Sequence, residues 1–396
     1  MSAFSSVGLS DAVCDEVAAR AWQHRLTAPR RAPVHPLVLA SAKKRITADG
    51  FRVEEGRLGS WINTTRIFHM THIAKTGGRS VRLELLRLVR PVGGAEQCYP
   101  PFAHESRVNI IFFREPRGHA LSQYLHGAYA GRSARRRASG YPVVQGDDLT
   151  GFARWVAHFA RDWTPSRGDF FGYNPLNMMA RTLTCTDERW NCSSAKPCGS
   201  SHHSLPRPRA AHPFLHPGDY LKQCEGPCAH HVGNSVLDAS PPIAPAIAAV
   251  HSTDFVGVLE LLPESLCVIA YRKRGELPPH CACPDSDGAQ HTASQSPRIA
   301  HVMNSRRQRA ARKVSVSQSS PEVLRELDAM TKVDARVYRA AVLRLLCDLR
   351  ALERRTGKQL ICMPRIEALR NKTRYVPGLW DGSGAASMAS EWKTAV

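Results

Sequence analysis

The sequence predicts an α/β domain in three layers, a central parallel sheet flanked by helices. Three observations predict it. Two strand–loop–helix units succeed one another between residues 65 and 129. The second strand, Val108-Asn109-Ile110-Ile111-Phe112-Phe113, is almost wholly apolar, as a strand covered on both faces must be. The chain has 396 residues, 43% of them apolar, enough for one large core with insertions.

Residues 1–60 read as an N-terminal extension, with a short helix over Val13 to Trp22 that Pro29 to Pro36 breaks. Arg66 to Ile73 is the first strand. After a glycine-containing loop, Arg79 to Arg90 is a helix with Val81, Leu85, Leu88 and Val89 on one face, ended by Pro91-Val92-Gly93-Gly94. Beyond the second strand, Arg114-Glu115-Pro116 turns the chain. Gly118 to Tyr129 is then a helix with Ala120, Leu121, Tyr124 and Leu125 on its apolar side.

Arg132 to Ser139 is a basic loop, Leu149 to Phe159 a helix, and residues 185–240 a Cys- and His-rich loop insertion. Phe255 to Leu259 is a strand followed by a helix over Pro263 to Arg272, and Asp285 to Ser320 is loop. Pro321 to Arg355 is helical with a break near Thr331, where Thr331-Lys332-Val333-Asp334 has the form of a capping box. Tyr338, Val342, Leu345, Leu349 and Leu352 form a stripe that reads as core packing. Residues 366–396 read as a disordered tail, so the domain is expected over 61–365.

The charge is strongly basic, with 54 Lys plus Arg against 34 Asp plus Glu, a net +20. Such a balance suits an anionic partner: a phosphorylated cofactor, an acidic polysaccharide, a nucleic acid or an anionic membrane. No zinc-finger or aromatic-basic nucleic-acid module is present, so nucleic acid is not expected. Twelve cysteines, eight of them between Cys185 and Cys283, suit disulfides in an oxidising compartment. The sequons at Asn63, Asn191 and Asn371 agree with that compartment, whereas no apolar N-terminal stretch resembles a signal or anchor. Cys224 and Cys228 with His230 and His231 leave two readings open, disulfides or zinc; the His spacing favours disulfides, and no metal is expected.

The first loop, Lys75-Thr76-Gly77-Gly78-Arg79-Ser80, leaves a buried strand and opens a helix. That arrangement directs backbone N–H groups and the positive end of the helix at a ligand, and phosphate binds there readily. Gly77 and Gly78 allow close approach, Thr76 and Ser80 offer hydroxyls, and Lys75 offers an ammonium. The lysine precedes the glycines, the reverse of a Walker A loop. A second anion site is expected at Arg114, on the end of the apolar strand, with Ser122 eight residues on. Two such sites on neighbouring strands suit a ligand phosphorylated at both ends.

These paired motifs resemble those of carbohydrate-type sulfotransferases, which use 3′-phosphoadenosine-5′-phosphosulfate. His72-Ile73-Ala74-Lys75-Thr76-Gly77-Gly78-Arg79-Ser80 is similar to the family's 5′-phosphosulfate loop. Phe112-Phe113-Arg114-Glu115-Pro116 with Ser122 is similar to its 3′-phosphate motif. Ala74, Arg79 and Glu115 stand where the family has proline, threonine and aspartate. Weaker similarity continues through Tyr173 to Met178 with Arg181, Asp254 to Gly257 with Glu260 and Ser265, and Asp334 with Tyr338.

The resemblance implies a fold related to P-loop nucleotide kinases and sulfuryl transfer to a hydroxyl of a carbohydrate or polysaccharide in the Golgi or secretory pathway. Lys75 is expected at the bridging or leaving oxygen, the backbone amides of Thr76 to Ser80 at the 5′-phosphate, and Arg114 with Ser122 at the 3′-phosphate. The acceptor's base is expected between the motifs: His104 first, Glu105 second, with Glu84 facing solvent. The basic stretch Ser305 to Lys313 falls where the family closes a loop over the nucleotide. The competing readings are a P-loop kinase or NTPase and a non-catalytic polyanion binder.

Overall fold

The computed structural model describes residues 11–12, 14–15, 67–89, 92–95, 99, 107–130, 149–162, 175–184, 241–283 and 314–381. They form a mixed α/β structure around one parallel sheet. Strands β1 (Ile67–Thr71), β2 (Val92–Ala95), β3 (Arg107–Phe113) and β4 (Phe255–Val258) lie in the order β2-β1-β3-β4, and every neighbouring pair is parallel. The helices are α1 (Gly78–Leu88), α2 (Pro116–Ala130), α3 (Leu149–Ala157, running into a π-helical turn His158–Asp162), α4 (Met178–Thr184), α5 (Ile243–Ser252), α6 (Leu262–Arg274), α7 (Pro321–Met330), α8 (Lys332–Thr356) and α9 (Met363–Thr373).

β3 is buried from Val108 to Phe113, and β4 along its whole length, as the unbroken apolar run of β3 requires. Helix α8 is the main core helix. Its stripe of Tyr338, Val342, Leu345, Leu349 and Leu352 is buried, each side chain contributing about 1.5–3 kcal/mol of burial free energy. A second cluster, with Tyr124, Phe152, Trp155 and Phe159 at its centre, joins α2, α3 and α7.

The strand order matters for function. From β1 the chain crosses outward to β2, whereas β3 is followed in the sheet by β4 on the opposite side. The direction of winding therefore reverses between β1 and β3. Open parallel sheets bind ligands outside the carboxyl ends of the strands at such a reversal.

Four expectations are corrected. Val92-Gly93-Gly94, expected only to end a helix, belongs to β2 at the sheet's edge, paired Phe68↔Val92 through Thr71↔Ala95. A glycine pair reads locally as a turn, but strand pairing is made by backbone groups that glycine retains. Thr331 does not cap α8; its hydroxyl donates back to Leu327 O at 2.8 Å. The Asp334 carboxylate accepts instead from the N–H groups of Met179 and Ala180 at 3.1 and 2.8 Å, at the start of α4. Asn177 Oδ1 in turn accepts from Val333 and Asp334 N–H at 2.9 and 3.3 Å, at the start of α8. Each helix thus carries the other's N-cap.

Residues 366–381 are the third correction. Expected within a tail, they complete α9 and a packed turn, with Ile366, Leu369, Val376 and Leu379 buried. Glu84 is the fourth: it is buried and accepts from Arg87 at 2.9 Å instead of facing solvent.

Disulfides join Cys14 to Cys347, Cys267 to Cys281 and Cys283 to Cys362. Such bonds are typical of chains from an oxidising compartment. The cysteines between Cys185 and Cys228, with the zinc alternative there, lie outside the described residues, as do the sequons at Asn63 and Asn191. Asn371 is exposed on α9, but its sequon partner Thr373 is buried, donating to Leu369 O at 2.7 Å and accepting from the Trp380 indole at 2.9 Å. Among the described residues no helix is long and apolar enough to cross a membrane.

Candidate anion-binding site

The loop after β1 is held in an unusual shape. Lys75 and Gly77 both have positive φ, 68° and 82°. Alternation of this kind curls successive N–H groups into a concave nest for an anion. Thr76 between them is buried, and both its hydroxyl (2.8 Å) and its N–H (3.3 Å) donate to Ile73 O. The threonine expected at the ligand therefore braces the loop. Helix α1 begins at Gly78 without a side-chain cap, and its first backbone bond runs from Val81 N–H to Gly77 O at 3.0 Å. The N–H groups of Gly78, Arg79 and Ser80 are thus the helix-terminal donors available to an anion.

Gly78 leaves the room that the His72 ring occupies. A Cβ there would lie 1.8 Å from His72 Nε2, and one on Gly77 would lie 2.6 Å from Leu259 Cδ1. His72 is thus packed directly on the cradle. Burial first, then the nearby Lys75 and Arg82, pushes its pKa down to about 4, so the ring is neutral at pH 7.

The second motif meets the first. Arg114 Nη1 donates to Lys75 O at 3.2 Å, and His119 Nε2, on α2, donates to Ala74 O at 2.7 Å. A carbonyl only accepts, so Nε2 carries the proton; Gln123 Nε2 lies 3.3 Å from Nδ1 and supplies its donor. Burial, with Arg114, Lys75 and His72 adding to it against the Ala74 bond, pushes His119 down to about 3. Ser122 is half-buried and one turn beyond His119, on the same side of α2. Met178, at the start of α4, packs on Ala74 from another direction.

Glu115 caps α2, its Oε1 accepting from Gly118 N–H at 2.6 Å. Its Oε2 accepts from Tyr375 OH at 2.6 Å, and its N–H donates to Glu260 Oε2 at 3.3 Å. Burial pushes the Glu115 carboxyl up, while Lys372 beside it pulls the other way. Arg117 forks Asp328 at 2.7 and 2.6 Å and lies 3.7 Å above the Tyr375 ring. Further in, Arg181 faces Asp334. Burial dominates both, lowering Arg181 to about 10 and raising Asp334 to about 7, so desolvation outweighs their attraction.

The loop after β1, with Lys75, Gly77, Gly78 and Ser80, meets Arg114 at the winding reversal between β1 and β3, whereas Ser122 lies further along α2, one turn beyond His119. His104, Glu105, the Arg79 side chain and the Ser305 to Lys313 stretch lie outside the described residues. Sequence reasoning missed His72, His119, Lys372 and Tyr375. Only His72 left a local signal, following Phe68 and Met70 in strand alternation to the loop's edge. Among the described residues one group, Cys267, His280 and Cys281, has metal-like proximity, and its two cysteines are bonded to each other. What the junction of the two loops offers chemically is the helix-terminal amides of α1 with the cationic side chains of Lys75 and Arg114 beside them. Set against protein-family models, characterised proteins and solved structures, the chain matches none.

Proposed function

We propose that this protein is a sulfotransferase that moves a sulfuryl group from 3′-phosphoadenosine-5′-phosphosulfate to a hydroxyl of a carbohydrate or polysaccharide. The observation that carries the reading is the contact of Arg114 with the Lys75 carbonyl at the winding reversal. It brings the loops that follow two adjacent parallel strands into contact, as a single site for an anion charged at both ends would require. A fold related to the P-loop nucleotide kinases fits this sheet order, and the reversed lysine–glycine order of the loop favours sulfuryl over phosphoryl transfer.

In this reading the amides of Gly78, Arg79 and Ser80 hold the 5′-phosphate, and Arg114 with Ser122 holds the 3′-phosphate. The donor, when bound, supplies a sulfuryl group on an activated leaving oxygen. Lys75 neutralises the charge that gathers there as the sulfur–oxygen bond to the 5′-phosphate breaks and one to the acceptor forms. The acceptor's proton passes to a base on the segment before β3, His104 or Glu105. The disulfides favour the lumen of the secretory pathway, the Golgi included.

Thermal shift of the full chain with desulfated donor, 3′-phosphoadenosine-5′-phosphate, with ATP and with heparin tests the reading. The desulfated donor is expected to stabilise by about 2.7 kcal/mol at a hundred times its Kd, with a Lys75→Ala variant losing transfer. Stabilisation by ATP alone would indicate a kinase, and by heparin alone a polyanion binder suited to the +20 charge.

A further inference from the structure

We infer that Lys372 and Tyr375, from the end of α9 and the turn after it, are positioning residues for Arg114, acting through the Glu115–Glu260 carboxylate pair. The inference rests on the sulfotransferase reading. Glu115 and Glu260 converge although both are acidic, their side chains only 4% and 6% exposed. Two carboxylates taken out of water side by side repel, and a nearby cation offsets that repulsion. Lys372 Nζ reaches both, at 3.1 Å from Glu260 Oε1 and 3.7 Å from Glu115 Oε1. Two phenols complete the set: Tyr375 OH donates to Glu115, and Tyr338 OH donates to Glu260 Oε2 at 3.0 Å.

The participants come from five places in the chain: the ends of β3 and β4, α8, α9, and the turn after α9. Glu115 is the hinge between them and the ligand. It is bonded to Arg114 through the peptide unit, and its carboxylate caps the helix that carries His119 and Ser122. Tyr375 OH also accepts from Arg117 N–H at 3.0 Å, so the tyrosine grips both sides of Pro116. Removing the Lys372 charge leaves two buried carboxylates facing each other. Rotation of Glu115 toward water relieves them and shifts Arg114 with it. The loss falls on the 3′-phosphate, which Arg114 holds, and not on the 5′-phosphate at α1.

The test is calorimetric titration of the full chain with 3′-phosphoadenosine-5′-phosphate and with adenosine 5′-monophosphate, which lacks the 3′-phosphate. Lys372→Met is expected to weaken the first about tenfold and to leave the second within about twofold. Lys372→Arg should restore wild-type affinity, and adding Glu115→Gln to Lys372→Met should recover part of it by removing the unpaired charge. If Lys372→Met does not fold, Tyr375→Phe decides, with an expected loss of about threefold confined to the 3′-phosphorylated ligand. Equal weakening of both ligands, or wild-type affinity in the folded variants, overturns the inference and leaves the sulfotransferase reading standing. A wild-type chain that binds neither nucleotide removes that reading, and the inference with it.

Discussion

Two imidazoles brace the cradle, and both are held neutral by burial. His72 packs on Gly78, and His119 ties α2 to the loop through Ala74 O. Their folded-state pKa values, about 4 and about 3, lie below the unfolded value of 6.5. Between these limits the unfolded chain binds more protons, so their contribution is complete above pH 6.5 and is lost as pH falls. Asp334, raised to about 7, acts in the opposite sense, and so does Glu264, raised by burial. A difference measurement therefore isolates one histidine. On acidification from pH 7.5 to 5, wild type is expected to lose about 2 kcal/mol more stability than His119→Gln, whose amide can still donate to Ala74 O. Urea midpoints at the two pH values read this directly, and equal losses would place the acid sensitivity elsewhere.

At the scale of elements, α4 and α8 finish each other. Asn177→Ala removes the acceptor for two N–H groups of α8 and places alanine at a φ of 46°. A cost of about 2 kcal/mol is expected in the denaturant midpoint, with Asn177→Gly costing less because glycine accepts that φ. These caps also show what a linear reading misses. Strands β3 and β4 were legible as short apolar runs bounded by turn residues, and helices α1, α2 and α8 because their apolar residues keep a helix period. In α4, Met178 through Leu183 are all buried, so no polar face marks the helix. In α9, Arg365, Glu367, Arg370 and Lys372 leave a thin stripe of Ile366 and Leu369, easily taken for a tail. The site divides likewise. Lys75 and Arg114 announce themselves by residue type beside a strand end. Glu260, Lys372 and Tyr375 matter only through contacts that the fold makes, as with Glu115 and Tyr375, 260 residues apart.

For the whole molecule, the Cys14–Cys347 bond ties the N-terminal region to the core helix α8 across 333 residues. Ion pairs of Asp11 with Arg350 and Asp15 with Arg354 lie beside it. Exposed pairs of this kind add little, so the covalent bond is the main tie among these contacts. Cys14→Ser is expected to lower unfolding stability by about 2–4 kcal/mol in denaturant titration, with wild type in strong reductant losing at least as much. A variant as stable as wild type would show that packing alone holds this region.

The Glu115–Tyr375 bond has a further consequence for the order in which the protein is made. At roughly 5–20 residues per second, the 260 residues between the partners take roughly 13–52 s to synthesise. Throughout that interval β1, β3 and the loops after them are already in the nascent chain, while Glu115 waits in water for its phenol and its ammonium. The surroundings of Glu115 therefore mature late. The loops after β1 and β3 are joined early in the chain, but the carboxylate beside them takes its phenol from a segment made 260 residues later.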